Sequence, residues 1–359
     1  MAELSREQVL EQLKTVDDPE LHEDLVTLGM VKNVAIRGTD VSVEIELTTP
    51  ACPLKAKIKG DVEQAVKRVS GVDSVVVDFS ARVRSTRRES PALPGVKNIV
   101  AVGAGKGGVG KSTAAVMLAY GLKRTGAAVG LMDADVYGPS IPAMVGIEGA
   151  EIEIADDMIV PPQADGVKII SIGFMIDGDK PVIWRGPMIH GVIKQFLEQV
   201  KWGELDYLIV DLPPGTGDVP LTLAQSLPMT GAVVVCTPQD IALHDARRAV
   251  KMYEQLNVEC LGIIENMSYY LCPQCGHRDE LFDHGGAEAA ARDLGVPFLG
   301  EIPLNAGLRA FVDSGAPGRM FVETDQHVRR AIDRVVVTTA GQISIKSERQ
   351  ERTFPVLSE

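Results

Sequence analysis

The stretch Gly105-Lys106-Gly107-Gly108-Val109-Gly110-Lys111-Ser112 decides how the rest of this 359-residue chain is interpreted. It follows an apolar run at residues 99–102 and leads into a helical pattern that begins at Thr113. Strand, glycine-rich loop and helix in this order are typical of a phosphate-binding loop, in which backbone N–H groups and the helix N-terminus face the phosphates. Lys111 can then reach the terminal phosphates, and the Ser112 hydroxyl can ligate Mg²⁺. The stretch therefore predicts a nucleotide-binding loop.

Length and composition indicate a globular protein of more than one domain. The chain is 45% hydrophobic with a mean hydropathy of +0.08, and it is too long for one small core. The polar N-terminus indicates no signal peptide, and no apolar run is long enough to span a bilayer. A net charge of −13 disfavours general nucleic-acid binding, and five cysteines, an odd number, do not suggest a disulfide framework. We expect a cytoplasmic protein with neither a membrane nor a nucleic acid as partner.

Patterning along the chain predicts four segments. Residues 1–83 read as a small α+β domain whose first helix opens with a capping box at Ser5. Residues 84–97, rich in charge, serine and proline, read as a linker. Residues 98–340 predict an α/β domain with a mostly parallel sheet flanked by helices, its strands near 99–102, 129–132, 168–172, 207–210, 232–236, 261–264 and 298–301. Residues 341–359 read as a polar C-terminal tail.

Three aspartates follow the loop at predicted strand ends, where open α/β sheets bind their ligands. Asp133 and Asp135 follow the second predicted strand of this domain, and Asp211 ends the fourth. An aspartate after a buried strand commonly holds Mg²⁺, often through water. Each of the three alone could cap a helix. Together, downstream of a phosphate loop, they predict metal and water roles.

Cys272 and Cys275 are the cysteines that lie close together in sequence. They supply two thiolates, half of what a four-cysteine iron–sulfur cluster or structural zinc site needs. From the residues alone, four interpretations stay open. His277 and His284 could complete a zinc site, the pair could be a redox dithiol, it could be inert, or two chains could each donate a pair to one shared cluster.

The loop resembles the deviant Walker A motif of the MinD/ParA class of P-loop ATPases. By that resemblance Lys106 reaches across a nucleotide-sandwich dimer to the partner's phosphates, and Asp135 positions the attacking water. The resemblance also implies that Asp133 supports Mg²⁺ and the switch, and that Asn266 reads the adenine edge. Lys106, Lys111 and Asp135 are then the expected catalytic residues. The expected nucleotide-binding residues are Gly105, Lys106, Gly107, Gly108, Val109, Gly110, Lys111, Ser112, Thr113 and Asn266. The expected metal ligands are Ser112, Asp133 and Asp211, with Cys272 and Cys275 for a cluster.

Segments spread over nearly the whole chain resemble the Mrp/ApbC family of iron–sulfur cluster carrier ATPases, namely residues 184–188, 211–218, 237–239, 265–267 and 272–275. This resemblance implies an ATP-hydrolysing homodimer whose paired cysteines bridge a labile cluster, typically 4Fe–4S. It also implies delivery to apo iron–sulfur proteins, with scaffold proteins as further partners. The first domain resembles the small domain of iron–sulfur assembly factors. Its Cys52 either handles iron or a client, or is buried and inert.

The alternative function is a MinD/ParA-like positioning ATPase with Cys272 and Cys275 in a structural zinc site. A membrane-associated version requires a cationic amphipathic C-terminal helix, whereas the C-terminus carries mixed charges. A DNA-associated version requires a basic surface, against the acidic balance of the chain. Neither version accounts for the cysteine pair.

Overall fold

A computed structural model describes residues 4–19, 21, 23–52, 54–85, 93–175, 186–272 and 274–353. The chain divides into two compact units, one of Met1–Arg84 with Ala340–Glu359 and one of Ser85–Thr339. Half of the expected linker (86–92) and the first two residues of the motif at 184–188 lie outside the described residues. Among the described helices, none combines the length and apolar character needed to cross a bilayer.

The first unit is a small α+β structure, as expected. Its elements are α1 (Arg6–Leu13), β1 (Asp17–Asp18), β2 (Glu23–Asp24), β3 (Val31–Arg37), β4 (Asp40–Leu47), α2 (Lys55–Lys67) and β5 (Ser74–Ala81). The capping box at Ser5 is present, and β4 pairs antiparallel with β3 and parallel with β5. Alternate β4 side chains are buried against Ile58 and Val62 of α2, because a strand with one buried face has period two.

The second unit begins with β6 (Val96–Gly103), which starts two residues inside the expected linker. Its other strands are β7 (Val129–Asp133), β8 (Glu153–Ala155), β9 (Met158–Val160), β10 (Gln163–Ala164), β11 (Val167–Ser171), β12 (Leu205–Asp211), β13 (Gly231–Cys236), β14 (Cys260–Leu271), β15 (Arg278–Asp279) and β16 (Phe298–Leu304). Its helices are α3 (Lys111–Arg124), α4 (Ile141–Met144), α5 (Gly186–Glu198), α6 (Asp218–Ser226), α7 (Asp240–Gln255), α8 (Gly286–Leu294), α9 (Ala306–Asp313), α10 (Met320–Glu323) and the start of α11 (Gln326–Thr353).

The main sheet of this unit is mostly parallel, in the order β10-β11-β7-β12-β6-β13-β14-β15, with β16 pairing β14. In that spatial order, every pairing between β11 and β14 is parallel, and so is the pairing of β14 with β16. All seven predicted strands are present, because strands covered on both faces read as continuous apolar runs. The carboxyl ends of these strands share one edge, which carries the phosphate loop and the three aspartates.

Residues 341–353 differ from the expected polar tail, since α11 continues through them to Thr353. Ile343, Ser347 and Glu348 are buried, and Glu348 pairs with Arg84 at 2.7 Å within the first unit. Tertiary packing therefore orders a segment whose polar composition alone suggests a loose end.

Replacing Ile343 with alanine tests whether this segment is part of a core. We expect the free energy of unfolding to fall by about 2–5 kcal/mol, the usual cost of removing a buried isoleucine side chain. Arg334→Ala, at an exposed position of the same helix, should change it by less than about 0.5 kcal/mol. Urea denaturation of both variants checks this, and equal stabilities would contradict the packing of residues 340–353.

Candidate functional site

The phosphate loop joins β6 to α3, and two of its glycines have left-handed backbones. Gly108 has φ +83° and Gly110 has φ +82°, a region that side chains rarely adopt. A Cβ atom on Gly110 would also overlap the side-chain amide nitrogen of Asn266. Glycine at position 110 is therefore required both by the backbone and by the close approach of β14.

Lys111 lies at the first residue of α3 with its ammonium group between two carboxylates. Its Nζ is 2.6 Å from Oδ1 of Asp211 and 3.3 Å from Oδ2 of Asp135. The Lys111 side chain is only 6% exposed, so these contacts are shielded from solvent. The same Nζ lies 3.3 Å from the Ser112 hydroxyl. When a nucleotide binds in this pocket, the ammonium group of Lys111 can contact phosphate oxygens in place of one of these carboxylates.

Asp133 and Asp211 meet because they end neighbouring parallel strands, β7 and β12, in register. Asp133 is fully buried and accepts hydrogen bonds from the Asp135 and Ile141 N–H groups and from the Ser171 hydroxyl. Burial raises the pKa of Asp133 to about 7, and the nearby Asp211 charge adds to that shift. Burial also raises the pKa of Asp211, although Lys111 opposes the shift.

The Asp211 carboxylate shows whether the residues at this site suit a magnesium ion. Its Oδ2 is buried and has no hydrogen-bond partner among the residues that the structure describes. A buried carboxylate oxygen left in this way is costly unless it acquires a ligand or water. Ser112, Asp133 and Asp211 together offer the hard oxygen ligands that Mg²⁺ prefers. The residues present fit the ion.

Lys106 lines a pocket of about 250 Å³ with Lys111, Ser112 and Asp135. Its side chain is half-buried, and it forms no ion pair with any residue in the described part of the chain. Asp135 faces Lys111 through Oδ2 and accepts the Tyr137 N–H through Oδ1 at 3.2 Å. The structure thus brings the three expected catalytic residues to one pocket.

A second pocket, of about 580 Å³, opens beside the loop and is mostly apolar. Gly110, Thr113 and Asn266 line one side. The amide of Asn266 donates to the Val109 carbonyl at 2.8 Å, which ties β14 to the loop. The sequence did not predict the rest of the lining. It is formed by the end of β16 and the residues after it, and includes Ile302, Pro303, Leu304, Asn305 and Leu308. These residues could have been found from strand order alone. Because β16 is the parallel neighbour of β14, the carboxyl end of β16 lies beside Asn266.

The cysteine pair lies at the tip of a hairpin formed by β14 and β15. Cys272 is half-buried and Cys275 is exposed. The Cys272 N–H donates to the His277 carbonyl at 2.9 Å, and the Gly276 N–H donates to the Cys272 carbonyl at 2.8 Å. The backbone N–H groups of Cys275 and Gln274 lower the pKa of the Cys272 thiol, because they stabilise its thiolate. The turn therefore favours the thiolate form of Cys272, which is the form that binds a metal.

The expected zinc alternative does not assemble within the described chain. No three described ligand atoms lying within 4.8 Å of one another include Cys272, Cys275 or His277. His284 instead groups with Glu265 and Glu301.

The other three cysteines lie elsewhere. Cys236 and Cys260 are buried, and burial raises the pKa of each thiol to about 12, which fits small core residues. Cys52 is half-buried against the core of the first unit.

Comparison with known sequences matches both units. Residues 95–349 match the family model of the NUBPL iron-transfer P-loop NTPases, and residues 6–79 match that of an iron–sulfur cluster assembly protein. A relative from Synechocystis sp. named "Iron-sulfur cluster carrier protein" is 48% identical over 349 residues, covering 95% of this chain and 99% of that protein. These matches confirm the resemblances drawn from the sequence.

Two solved structures are similar to the second unit. A nucleotide-binding protein from Archaeoglobus fulgidus, in complex with ADP, is 42% identical with a TM-score of 0.57, covering 62% of this chain and 88% of that one. The cell-division ATPase MinD of Pyrococcus furiosus is 20% identical with a TM-score of 0.50, covering 67% and 97%. The second likeness concerns the fold alone, and it confirms the expected MinD-like architecture.

Replacing Gly110 with alanine tests the contact between the loop and Asn266. The left-handed backbone costs alanine about 1–3 kcal/mol, and the new Cβ forces Asn266 away from Val109. We expect nucleotide affinity to fall at least about tenfold, as measured by calorimetric titration.

Gly126→Ala is the matched control, because Gly126 has φ +104° but open space where its Cβ would lie. It should lower the stability of the protein without changing nucleotide affinity. Unchanged affinity in the Gly110 variant would contradict the proposed geometry.

Proposed function

The chain belongs to the family of NUBPL iron-transfer P-loop NTPases, and from this membership we propose that it is an ATP-hydrolysing iron–sulfur cluster carrier. In this proposal two copies form a homodimer, hold one labile cluster between them and pass it to apo-proteins. The cluster is the cargo, and ATP is the substrate.

The observation that carries the proposal is the position of the cysteine pair. Cys272 and Cys275 lie together at the tip of a hairpin, and no third ligand completes their set within the described chain. Two thiolates leave a cluster half-ligated, and a second copy related by a two-fold axis supplies the missing pair. A cluster shared in this way is accessible and labile, which suits transfer. Four thiolates suit either a 2Fe–2S or a 4Fe–4S cluster, and we propose the 4Fe–4S type because the resemblance to the Mrp/ApbC carriers implies it.

The phosphate pocket supports ATP hydrolysis by the described residues. Lys111 would hold the terminal phosphates, and Asp135, beside it in the same pocket, would orient the attacking water. Ser112, Asp133 and Asp211 would hold Mg²⁺, which neutralises developing charge on the phosphates when it is bound. The apolar pocket next to Asn266 would take the adenosine.

Lys106 supports the dimer. Its half-buried side chain lines the phosphate pocket without an ion pair to the described residues, so its charge is available to a second nucleotide. An added cation at a transferring phosphoryl group stabilises the transition state, as an arginine finger does. The dimer that brings Lys106 to a partner would also bring two cysteine pairs to one axis.

Coupling between the two sites would follow β14, which carries Asn266 at the adenosine pocket and leads directly into Cys272. Nucleotides can alter cluster affinity only if they bind the two arrangements of this strand differently. The recipients of the cluster would be apo iron–sulfur proteins, and its donors would be scaffold proteins. We propose that this exchange takes place in the cytoplasm, where the five free cysteines would stay reduced. The match of the first unit to an assembly-protein family supports a role for it in these exchanges.

Lys106→Ala tests the catalytic role of this lysine. We expect unchanged ATP affinity and a kcat lower by about a thousandfold, because arginine fingers are worth at least that much. Phosphate release and nucleotide titration give the two quantities. Lys123→Ala, an exposed lysine on α3, is the control and should match wild type. A Lys106 variant with wild-type kcat would exclude the role.

Cys272→Ala/Cys275→Ala tests cargo binding. After anaerobic reconstitution with iron and sulfide, the wild type should hold about two iron atoms per chain, half of a shared 4Fe–4S cluster. The double variant should hold almost none, and Cys260→Ala, at a buried core position, should match the wild type. Iron analysis and visible absorption measure this.

Two results would count against the carrier. One is equal iron in the wild type and the double variant. The other is one tightly held zinc per chain in the purified wild type, which would support the structural zinc alternative.

A further inference from the structure

The cysteine hairpin has too little backbone pairing to hold its own direction. β14 and β15 pair at two positions, Tyr270 with Asp279 and Leu271 with Arg278. A two-stranded ribbon is marginal even when much longer. The pairing of β14 with β16 is irregular between Asn266 and Tyr270, where Met267 has φ +55°, and it resumes only at the single pair Tyr270 with Leu304. Side chains must therefore fix the hairpin relative to the nucleotide site.

Arg278, the first residue of β15, makes the contacts that this requires. Its guanidinium lies 3.8 Å from the ring centroid of Tyr269, a cation–π distance. One nitrogen donates to Glu301 on β16 at 3.3 Å, and another donates to the His284 ring at 3.1 Å. Arg278 thus joins the outgoing arm of the hairpin to its incoming arm, to a neighbouring strand and to the segment before α8.

A buried carboxylate extends this network to the nucleotide site. Glu265 is fully buried, accepts the Ser268 hydroxyl at 2.6 Å and accepts the Ala287 N–H at 2.8 Å. The Ser268 hydroxyl is also 3.3 Å from Glu301, the partner of Arg278. The next residue after Glu265 is Asn266, whose amide binds the Val109 carbonyl. A continuous set of contacts therefore runs from the phosphate loop to Arg278.

The same cluster has a metal-like arrangement, since Glu265, His284 and Glu301 present ligand atoms within 4.8 Å of one another. Arg278 already contacts two of these three side chains, and both oxygens of Glu265 accept hydrogen bonds. A guanidinium in this position supplies the positive charge that a cation would supply. The contacts favour an ion-pair network over a metal site.

We propose that Arg278 is the positioning residue of the cysteine hairpin, and that it holds Cys272 and Cys275 in the direction needed to share a cluster. The proposal rests on the proposed function, in which these cysteines are the cluster ligands. In this proposal Arg278 is not a cluster ligand, and it acts through its contacts with Tyr269, His284 and Glu301. Groups that hydrogen-bond directly to metal ligands commonly change metal affinity about 10- to 100-fold when they are replaced, and because Arg278 acts one step further away we expect the lower end of that range.

Arg278→Gln in the full-length protein is the main test. After anaerobic reconstitution we expect retained cluster iron about tenfold lower than in the wild type, and a changed visible circular dichroism spectrum. Arg278→Lys keeps the charge but loses the planar stack and the fork, so it should recover part of the loss. Nucleotide affinity should be unchanged in both variants, because Lys111 and Asn266 keep their contacts.

Arg124→Gln is the matched control. Arg124 also combines an ion pair, with Asp333, and a stacked ring, Phe321, but it lies at the end of α3. It should retain cluster iron and the wild-type spectrum. Glu301→Gln removes the same ion pair from the other side, and the double variant Arg278→Gln/Glu301→Gln should be no worse than the first variant alone.

Hydrogen exchange of the protein without cluster separates this proposal from the proposed function. Faster exchange at residues 269–284 in Arg278→Gln, with α3 unchanged, is the expected result. Unchanged exchange there, or wild-type cluster retention and spectrum in Arg278→Gln, overturns the positioning role. A wild type that binds no iron overturns the carrier function instead, whatever the exchange shows. Tightly bound zinc in the wild type that is lost in Glu301→Gln would also contradict the ion-pair network, because Glu301 is one of the three side chains that a metal site there would use.

Discussion

The ammonium group of Lys111 lies 2.6 Å from a carboxylate oxygen of Asp211, and both side chains are almost fully shielded from water. A buried carboxylate is costly without a compensating charge or hydrogen bonds. Because β7 and β12 are parallel neighbours, two such carboxylates, Asp133 and Asp211, meet at one edge of the sheet. The glycine loop sets α3 so that Lys111 reaches this position. Its charge makes the buried acidic pair tolerable and keeps the pair at the place where phosphates would bind.

The strand β14 connects this edge to the cysteines. Up to Asn266 it is held by backbone pairing with β13 and β16, and the Asn266 amide ties it to the loop. Beyond Asn266 the pairing with β16 is interrupted until Tyr270, and side-chain contacts around Arg278 add to the few backbone pairs there. One element thus has a rigid end at the nucleotide pocket and an end at the cysteines that depends on a few polar contacts. In the proposed carrier, a nucleotide that binds the two arrangements of this strand differently would bias the direction of the hairpin.

The sequence predicted the core of the second unit well and its periphery less well. Its seven predicted strands are buried on both faces, so each reads as an apolar run whatever its neighbours are. The extension of β14 to Leu271 was not foreseen, because Glu265 and Ser268 interrupt the apolar pattern. Both find hydrogen-bond partners that are close only in the folded chain. Residues 341–353 differ from expectation for a related reason, since Ser347 and Glu348 are buried by packing.

What the sequence by itself determined is the set of residues that can carry chemistry. These are the phosphate loop, the aspartates at strand ends, Asn266 after the predicted strand at 261–264, and the pair of cysteines. Each of these features consists of residues that are close together in the sequence, so their types and spacing can be read without knowing the fold. Only the tertiary structure decided which distant groups meet. It placed Lys111 between Asp135 and Asp211, formed the apolar pocket with the end of β16 and the segment after it, and brought Arg278 to Glu301 and His284. Such contacts follow from strand order and from packing within the second unit, and no single stretch of sequence contains that information.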